Sequence, residues 1–127
     1  MSRILVADDE PHIRKLVTFT LKTKGYEVLE AADGGEALEA ARTGAPDLIL
    51  LDVMMPVMTG YDVLDRLKAD PATADIPVII LSAKSQAAEV QEGLARGALE
   101  YISKPFTPKE LAQRVADMLE SIQEGSL

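Results

Sequence analysis

Acidic residues follow two of the apolar segments in this sequence. Asp8 and Asp9, with Glu10 beside them, come directly after the first segment, and Asp52 comes directly after the third. Carboxylates that lie close together repel one another, so such a cluster raises at least one pKa or binds a cation. Oxygen ligands without histidine or cysteine favour a hard ion, and Mg²⁺ suits a few carboxylates, waters and a phosphate oxygen. Asp8, Asp9 and Asp52 therefore predict a Mg²⁺ site if the fold brings them together.

A hydroxyl and an amine follow two other apolar segments. Ser82 directly follows the apolar run of residues 78–81, and Lys104 lies two residues beyond Ile102. Once a metal neutralises the pocket, a phosphoryl group can approach it. Ser82 can then donate a hydrogen bond to that group and Lys104 can pair with its charge, which leaves Asp52 as the nucleophile.

The elements that must position these side chains alternate along the whole chain. Short apolar runs, each long enough for one strand, occupy residues 4–7, 26–29, 48–51, 78–81 and 99–102. Amphipathic segments with helical spacing separate them and follow the last one. This alternation predicts an α/β fold with a five-stranded parallel sheet and helices on both faces. Right-handed crossovers favour the strand order 2-1-3-4-5, the doubly wound arrangement known from flavodoxins.

Helix boundaries can be read from capping residues. Asp33 precedes Gly34-Gly35 as a helix start, and Thr107 precedes Pro108 with a glutamate three residues after the threonine. Glycine tolerates the left-handed conformation that ends many helices, and we expect Gly25, Gly97 and the segment 44–46 to have this role. Residues 68–75 predict a loose surface loop before the fourth strand.

In an open parallel sheet, ligands bind beyond the carboxyl ends of the strands, where the strand order reverses. For the order 2-1-3-4-5 this point lies between strands 1 and 3. Asp8, Asp9, Asp52, Ser82 and Lys104 all fall at this end of the sheet. Their convergence from four separate segments carries the prediction, because none of them would mean much alone.

Length, composition and charge limit the remaining possibilities. The 127 residues fit one domain over residues 1–123 with a short tail at 124–127. A formal net charge of −8 disfavours direct binding of nucleic acid, and the lack of cysteine fits a reducing compartment. No apolar run is long enough to span a membrane, and no signal peptide is evident, so we expect a cytoplasmic protein.

The same residues closely resemble the receiver domain of two-component response regulators. The segments that carry the resemblance are residues 4–10, 51–60, 77–84, 93–98 and 101–106. The resemblance implies that Asp52 accepts a phosphoryl group from a histidine kinase or a histidine phosphotransfer protein. It also implies that Asp9, Asp52 and the main-chain carbonyl of Met54 bind Mg²⁺, with Asp8 acting largely through water. Mn²⁺ is a plausible substitute.

The resemblance further implies a switch. Ser82 moves toward the phosphoryl group, the ring of Tyr101 turns inward behind it, and the surface of helix 4, strand 5 and helix 5 changes for a downstream protein partner. The bond between Lys104 and Pro105 is expected to be cis. Met54, Ala83 and Lys84 line the approach to the site and should influence the lifetime of the phosphoryl group.

Simpler interpretations of single residues stay open. Asp8 and Asp9 fit ordinary loop acids or caps of the next helix, and Ser82 and Lys104 fit ordinary strand-end residues. Tyr101 also fits a half-buried aromatic with no switching role. The residues Met54, Met55 and Met58 fit either core packing or a surface that adapts to a partner. His12, the only histidine, is expected on the exposed face of the first helix.

Other functional classes fit less well. Phosphatases that resemble the haloacid dehalogenases need a general acid two residues after the nucleophile, and here that position is Met54, which cannot transfer a proton. A flavin or nucleotide binder would place amides and hydroxyls after strand 1, whereas Asp8 and Asp9 would repel an anion without a metal. A receiver that only docks is disfavoured because every residue required for phosphorylation is present.

The output of the switch is less constrained. Receivers that dimerise ahead of winged-helix domains typically resemble Gly-Ala-Asp-Asp-Tyr before the end of the last strand. This chain has Leu99-Glu100 in place of the two aspartates, and Arg114 is the only arginine of its last helix. We therefore expect a stand-alone receiver, monomeric or dimerising on phosphorylation, with the receiver of a longer regulator as the alternative.

Overall fold

A computed structural model of the chain describes residues 2–83, 87–123 and 125. Strands and helices alternate within these residues. Their bounds are β1 (Arg3–Ala7), α1 (Pro11–Thr23), β2 (Glu27–Ala31), α2 (Gly34–Gly44), β3 (Leu48–Asp52), α3 (Gly60–Ala69), β4 (Val78–Ser82), α4 (Ala87–Ala95), β5 (Glu100–Ser103) and α5 (Pro108–Gln123). Lys84 and all of the expected tail except residue 125 lie outside the described residues, so those two expectations stay predictions.

The strands form one parallel sheet in the order β2-β1-β3-β4-β5, which confirms the predicted topology. Every residue of β3 and β4 is buried, because helices cover both faces of the central strands. Alternate residues of each strand contribute to two separate cores. One core lies against α1 and α5, and the other lies against α2, α3 and the side chain of Tyr101.

Strand boundaries differ from the predicted apolar runs by one or two residues. The largest difference is in β2, which the apolar run predicts at residues 26–29 and which covers Glu27–Ala31, because Glu30 and Ala31 pair with the last residues of β1. The segment 44–46 ends α2 as expected, but its left-handed residue is Ala45, at φ 47°, and not the glycine. Gly44 has a packing role instead, since a Cβ atom there would lie 2.5 Å from Cδ1 of Leu29.

The segment before β4 is held more firmly than its composition predicts. The buried hydroxyl of Thr73 donates a hydrogen bond to the carbonyl of Leu67 at 2.7 Å. Nζ of Lys68 donates to the carbonyls of Ala74 and Ile76 at 3.0 and 3.3 Å, and burial lowers the pKa of this amine. The segment is a surface loop, as expected, but it is anchored by side chains that cap its carbonyls.

The predicted helix starts are confirmed. Oδ1 of Asp33 accepts a hydrogen bond from the amide of Glu36 at 2.8 Å. Thr107 and Glu110 form a reciprocal capping box, in which each side chain accepts from the other residue's amide at 3.0 and 3.3 Å. No helix in the described part of the chain is long and apolar enough to cross a lipid bilayer.

Gly60, the first residue of α3, brings this helix directly against the end of β3. Its amide donates to the carbonyl of Val53 at 3.1 Å. A Cβ atom at this position would lie 2.3 Å from the carbonyl oxygen of Asp52 and 2.5 Å from Cα of Val53. Those neighbours are backbone atoms of the site, so they cannot move aside without displacing Asp52.

The substitution Gly60→Ala is therefore expected to destabilise the fold by about 1–3 kcal/mol, because the added methyl group overpacks against backbone. Urea unfolding measures the effect. Gly35→Ala is the matched control in the first turn of α2, where the nearest atom to an added Cβ is Oδ1 of Asp33 at 3.4 Å. The control should change stability by less than about 1 kcal/mol. Equal losses in the two variants would contradict the assigned role of Gly60.

Candidate functional site

The register of the sheet aligns the carboxyl ends of its central strands. Ala7 pairs with Leu51, Asp52 pairs with Leu81, and Ser82 pairs with Ser103. The residues that end these strands, or directly follow them, therefore share one edge of the sheet. Asp8, Asp52 and Ser82 are 0%, 1% and 0% exposed at this edge. The structure thus brings together the polar residues that the sequence placed at strand ends.

Lys104 enters this edge from β5 and contacts carboxylates from two other segments. Its Nζ donates a hydrogen bond to Oδ2 of Asp8 at 2.8 Å, and it lies 3.6 Å from Oδ2 of Asp52 and 3.7 Å from Oε1 of Glu10. Burial lowers the pKa of Lys104, but the bond to Asp8 and the neighbouring negative charges outweigh burial, so its pKa is raised. The ammonium group is therefore firmly charged.

The two carboxylate oxygens of Asp52 have different surroundings. Oδ1 accepts a hydrogen bond from the amide of Met54 at 3.0 Å. Oδ2 is buried and has no hydrogen-bond partner among the residues that the structure describes. Burial raises the pKa of Asp52 to about 6, and the charges of Asp8 and Asp9 add to this, while the Met54 amide and Lys104 offset only part of it.

Asp9 supplies a second buried oxygen without a partner. Its Oδ1 makes no hydrogen bond to any described residue, whereas Oδ1 of Asp8 accepts from the amide of Glu10 at 2.9 Å. A buried carboxylate oxygen with no donor is costly unless a cation or water compensates it. The unpartnered oxygens of Asp9 and Asp52 therefore fit a hard cation, which carboxylates bind well.

The structure adds Glu10 to the predicted acids. Asp8, Glu10 and Asp52 each offer an oxygen, and these atoms lie within 4.8 Å of one another. Asp9 is absent from this group in the described part of the chain, although the sequence predicted it as a ligand. The spacing of Asp8 and Glu10 is a signal only once the segment is known to be extended, because alternate residues of an extended segment point the same way and Glu10 has extended backbone angles.

The expected switch residues occupy neighbouring strands. Ser82 ends β4 at the same edge as Asp52, and Tyr101 lies in β5 opposite Ile80. The side chain of Tyr101 is half-buried and packs against the core that α2 and α3 cover. The peptide bond between Lys104 and Pro105 is cis, which confirms that expectation.

The methionines after β3 have different environments. Met55 is buried in the core and Met58 packs against it, whereas the side chain of Met54 is 52% exposed beside the site. Packing therefore explains Met55 and Met58, and Met54 is left as the exposed member. His12 is exposed on α1, as predicted.

Comparison with known proteins agrees with this geometry. The family model described as response regulator receiver domain matches residues 4–116. The DNA-binding response regulator MtrA of Mycolicibacterium smegmatis is 44% identical over 113 residues, which are 89% of this chain and 48% of that protein. The DNA-binding dual master transcriptional regulator RpaA of Synechocystis is 43% identical over 119 residues, which are 94% of this chain and 49% of that protein. The chain spans about half the length of these relatives.

Solved structures share the whole fold. The chemotaxis protein CheY4 of Vibrio cholerae superposes with a TM-score of 0.87 at 38% identity, covering 92% of this chain and 98% of that chain. The receiver domain of Francisella response regulator 1452 has a TM-score of 0.89 at 34% identity, covering 96% of this chain and 99% of that chain. The doubly wound five-stranded sheet is therefore the architecture of these receiver domains.

The raised pKa of Asp52 predicts a pH-dependent stability. The folded state binds the Asp52 proton more tightly than the unfolded state, so this residue's contribution falls as pH rises from about 3.8 to about 6. Asp52→Asn removes the penalty and should stabilise the metal-free protein on the order of 2 kcal/mol at about pH 8. The gain should shrink by about 1 kcal/mol at about pH 5.

Urea unfolding in the presence of a chelator at the two pH values measures this effect. Asp117→Asn is the control, because Asp117 is an exposed acid on α5. A stabilisation of Asp52→Asn that does not depend on pH, or one matched by the control, would contradict the electrostatic origin of the effect.

Proposed function

This chain belongs to the response regulator receiver family, and on that premise we propose that Oδ2 of Asp52 accepts a phosphoryl group. The supporting observation is that this oxygen is buried, unpartnered among the described residues and 3.6 Å from the ammonium of Lys104. The donor is a phosphohistidine of a kinase or phosphotransfer protein. The N–P bond of the donor breaks, an O–P bond to Asp52 forms, and the imidazole of the donor takes up a proton.

The acids around Asp52 would hold Mg²⁺. The unpartnered oxygens of Asp9 and Asp52 suit direct coordination, and the exposed carboxylate of Glu10 suits a contact through water. The family resemblance adds the main-chain carbonyl of Met54, two residues after Asp52, as a further ligand. When bound, the ion neutralises the carboxylates and the incoming phosphoryl oxygens.

Lys104 and Ser82 would bind the transferred group. Phosphorylation adds about −1.5 to −2 charges and new acceptor oxygens at Asp52. Lys104, now bonded to Asp8, has its ammonium within reach of the position that the new oxygens take. The hydroxyl of Ser82, at the end of the adjacent strand β4, would donate a hydrogen bond to the same group.

Signal output would follow from the movement of Ser82 and Tyr101. Tyr101 lies in β5, so a change in its position alters the surface that α4, β5 and α5 form. On this surface Leu94 and Leu99 are exposed, and Arg114 forms an ion pair with Glu100 of the same chain. A downstream protein partner, or a second receiver, would bind here.

Two relatives are named as DNA-binding regulators, and this chain matches about half of each. These relatives favour a role as the receiver of a longer regulator over the stand-alone receiver that the sequence favoured. The net charge of −8 leaves nucleic-acid binding to other parts of such a protein. A phosphatase stays disfavoured, since Met54 holds the position of its general acid.

Incubation with acetyl phosphate and Mg²⁺ tests the proposal by intact mass. The wild type should gain one phosphoryl group, Asp52→Asn should gain none, and Asp117→Asn should match the wild type. Lys104→Gln should slow the reaction at least about tenfold, because it removes the charge that meets the phosphoryl oxygens. An unmodified wild type, or equal labelling of Asp52→Asn, would overturn the proposal.

Mg²⁺ should also raise the melting temperature, because it binds the folded site and relieves repulsion among the acids. The gain is about 1.4 kcal/mol when the free ion is about tenfold above its dissociation constant. KCl of equal ionic strength is the control. Asp9→Asn should abolish the gain and Glu10→Gln should reduce it only partly, if Asp9 is a direct ligand. The reverse order would assign the direct contact to Glu10.

A further inference from the structure

Tyr61, which projects from α3, links that helix to α4 and β5. Its hydroxyl donates a hydrogen bond to the main-chain carbonyl of Glu89, in the first turn of α4, at 3.2 Å. The phenol of Tyr101 is its neighbour, and both rings pack against the same core. Burial raises the pKa of Tyr61 to about 12, and the contact with Tyr101 adds to this, so the group stays a neutral donor at physiological pH. One side chain therefore contacts both the expected switch residue and the helix above it.

Arg96 forms a second connection between the same two helices. Its guanidinium lies 5.2 Å from the centre of the Tyr61 ring, within range of a cation–π contact. It also bonds Asp65 of α3 at 2.5 Å and Glu92 of α4 at 2.9 Å. The end of α4 is thus tied to α3 around the Tyr61 ring.

Gly93 allows α4 to lie directly over Tyr101. A Cβ atom at Gly93 would lie 3.3 Å and 3.5 Å from two ring carbons of Tyr101, and 2.6 Å from Cδ1 of Ile80. The ring of Tyr101 therefore lies between α4 and the sheet, with Tyr61 beside it.

We propose that Tyr61 is a positioning residue that holds Tyr101 beneath α4, the inward position of its ring, and thereby sets how much of the unphosphorylated protein already has the ring inward. This inference rests on the proposed function, because Tyr101 matters only if its inward position accompanies phosphorylation. The hydroxyl of Tyr61 bonds the carbonyl of Glu89 and so fixes α4 over the ring of Tyr101, which Gly93 of the same helix approaches closely. Without that hydroxyl, a smaller fraction of the molecules has Tyr101 in the inward position. Phosphorylation then has to supply the free energy that moves the ring inward.

The test compares Tyr61→Phe with Tyr26→Phe. Tyr26 is a matched control, since it is half-buried and packs against the other core, beside α1 and α5. Protein with ¹³C-labelled tyrosine rings is observed by NMR without Mg²⁺ or phosphoryl donor, and the two variants together with Tyr101→Phe assign the ring signals. In Tyr61→Phe, the Tyr101 signals should shift toward those of exposed tyrosine and broaden more with a soluble paramagnetic agent. Tyr26→Phe should leave them unchanged.

The rate of labelling by acetyl phosphate gives the second measurement. One lost hydrogen bond should lower the inward population, and so the rate, by about two- to tenfold in Tyr61→Phe. Arg96→Gln should change both measurements in the same direction by a smaller factor, and it decides the question if Tyr61→Phe does not fold. Unchanged Tyr101 signals in the folded variant would overturn the proposal. If the melting temperature also fell, the role of Tyr61 would be purely structural. Failure of wild type to accept phosphate would overturn the proposed function instead, and the NMR comparison would still decide the contact between the two tyrosines.

Discussion

The ammonium group of Lys104 lies among more negative charge than it can neutralise. It bonds Asp8 at 2.8 Å and lies within 4 Å of carboxylate oxygens on Asp52 and Glu10. Burial raises the pKa of Asp52, the charges of Asp8 and Asp9 add to this, and Lys104 offsets only part of it. One oxygen each of Asp9 and Asp52 is left without a hydrogen bond among the described residues. The fold maintains this unfavourable arrangement because the acids follow strands whose packing determines where each strand ends.

The excess of negative charge at this site explains why the proposed mechanism needs a metal ion. A divalent cation would reduce the repulsion among the carboxylates, whereas a phosphoryl group would add negative charge, so the phosphoryl group requires the metal at this edge of the sheet. In that mechanism, each new oxygen on Asp52 would compete with Asp8 for Lys104. Lys104 follows β5, the strand that carries Tyr101 under α4. A change in the contacts between Asp52 and Lys104 can therefore be transmitted through β5 to α4 at the surface of the domain. Tyr61 connects α4 in turn to α3.

The fold and most of the candidate site could be predicted from the sequence, because the most deeply buried strands also have the clearest sequence patterns. Continuous apolar runs define β3 and β4, and right-handed crossovers then leave few strand orders, so the edge shared by Asp52, Ser82 and Lys104 follows. The contribution of Glu10 depended on the direction of a side chain in a short extended segment, which composition does not reveal. The close approach of Gly44 to Leu29, which is distant in sequence, was also not evident from composition. The contacts of Tyr61 likewise join residues that no local pattern relates.

The position of the phosphoryl group tests the central claim most directly. After reaction with acetyl phosphate and Mg²⁺, reduction with borodeuteride converts an aspartyl phosphate into deuterated homoserine, which tandem mass spectrometry locates in the sequence. Homoserine is expected at position 52 alone, since Asp52 carries the buried oxygen that lies 3.6 Å from Lys104 without a hydrogen bond among the described residues. Homoserine at position 8 or 9, or a phosphorylated protein that yields no homoserine at position 52, would contradict it.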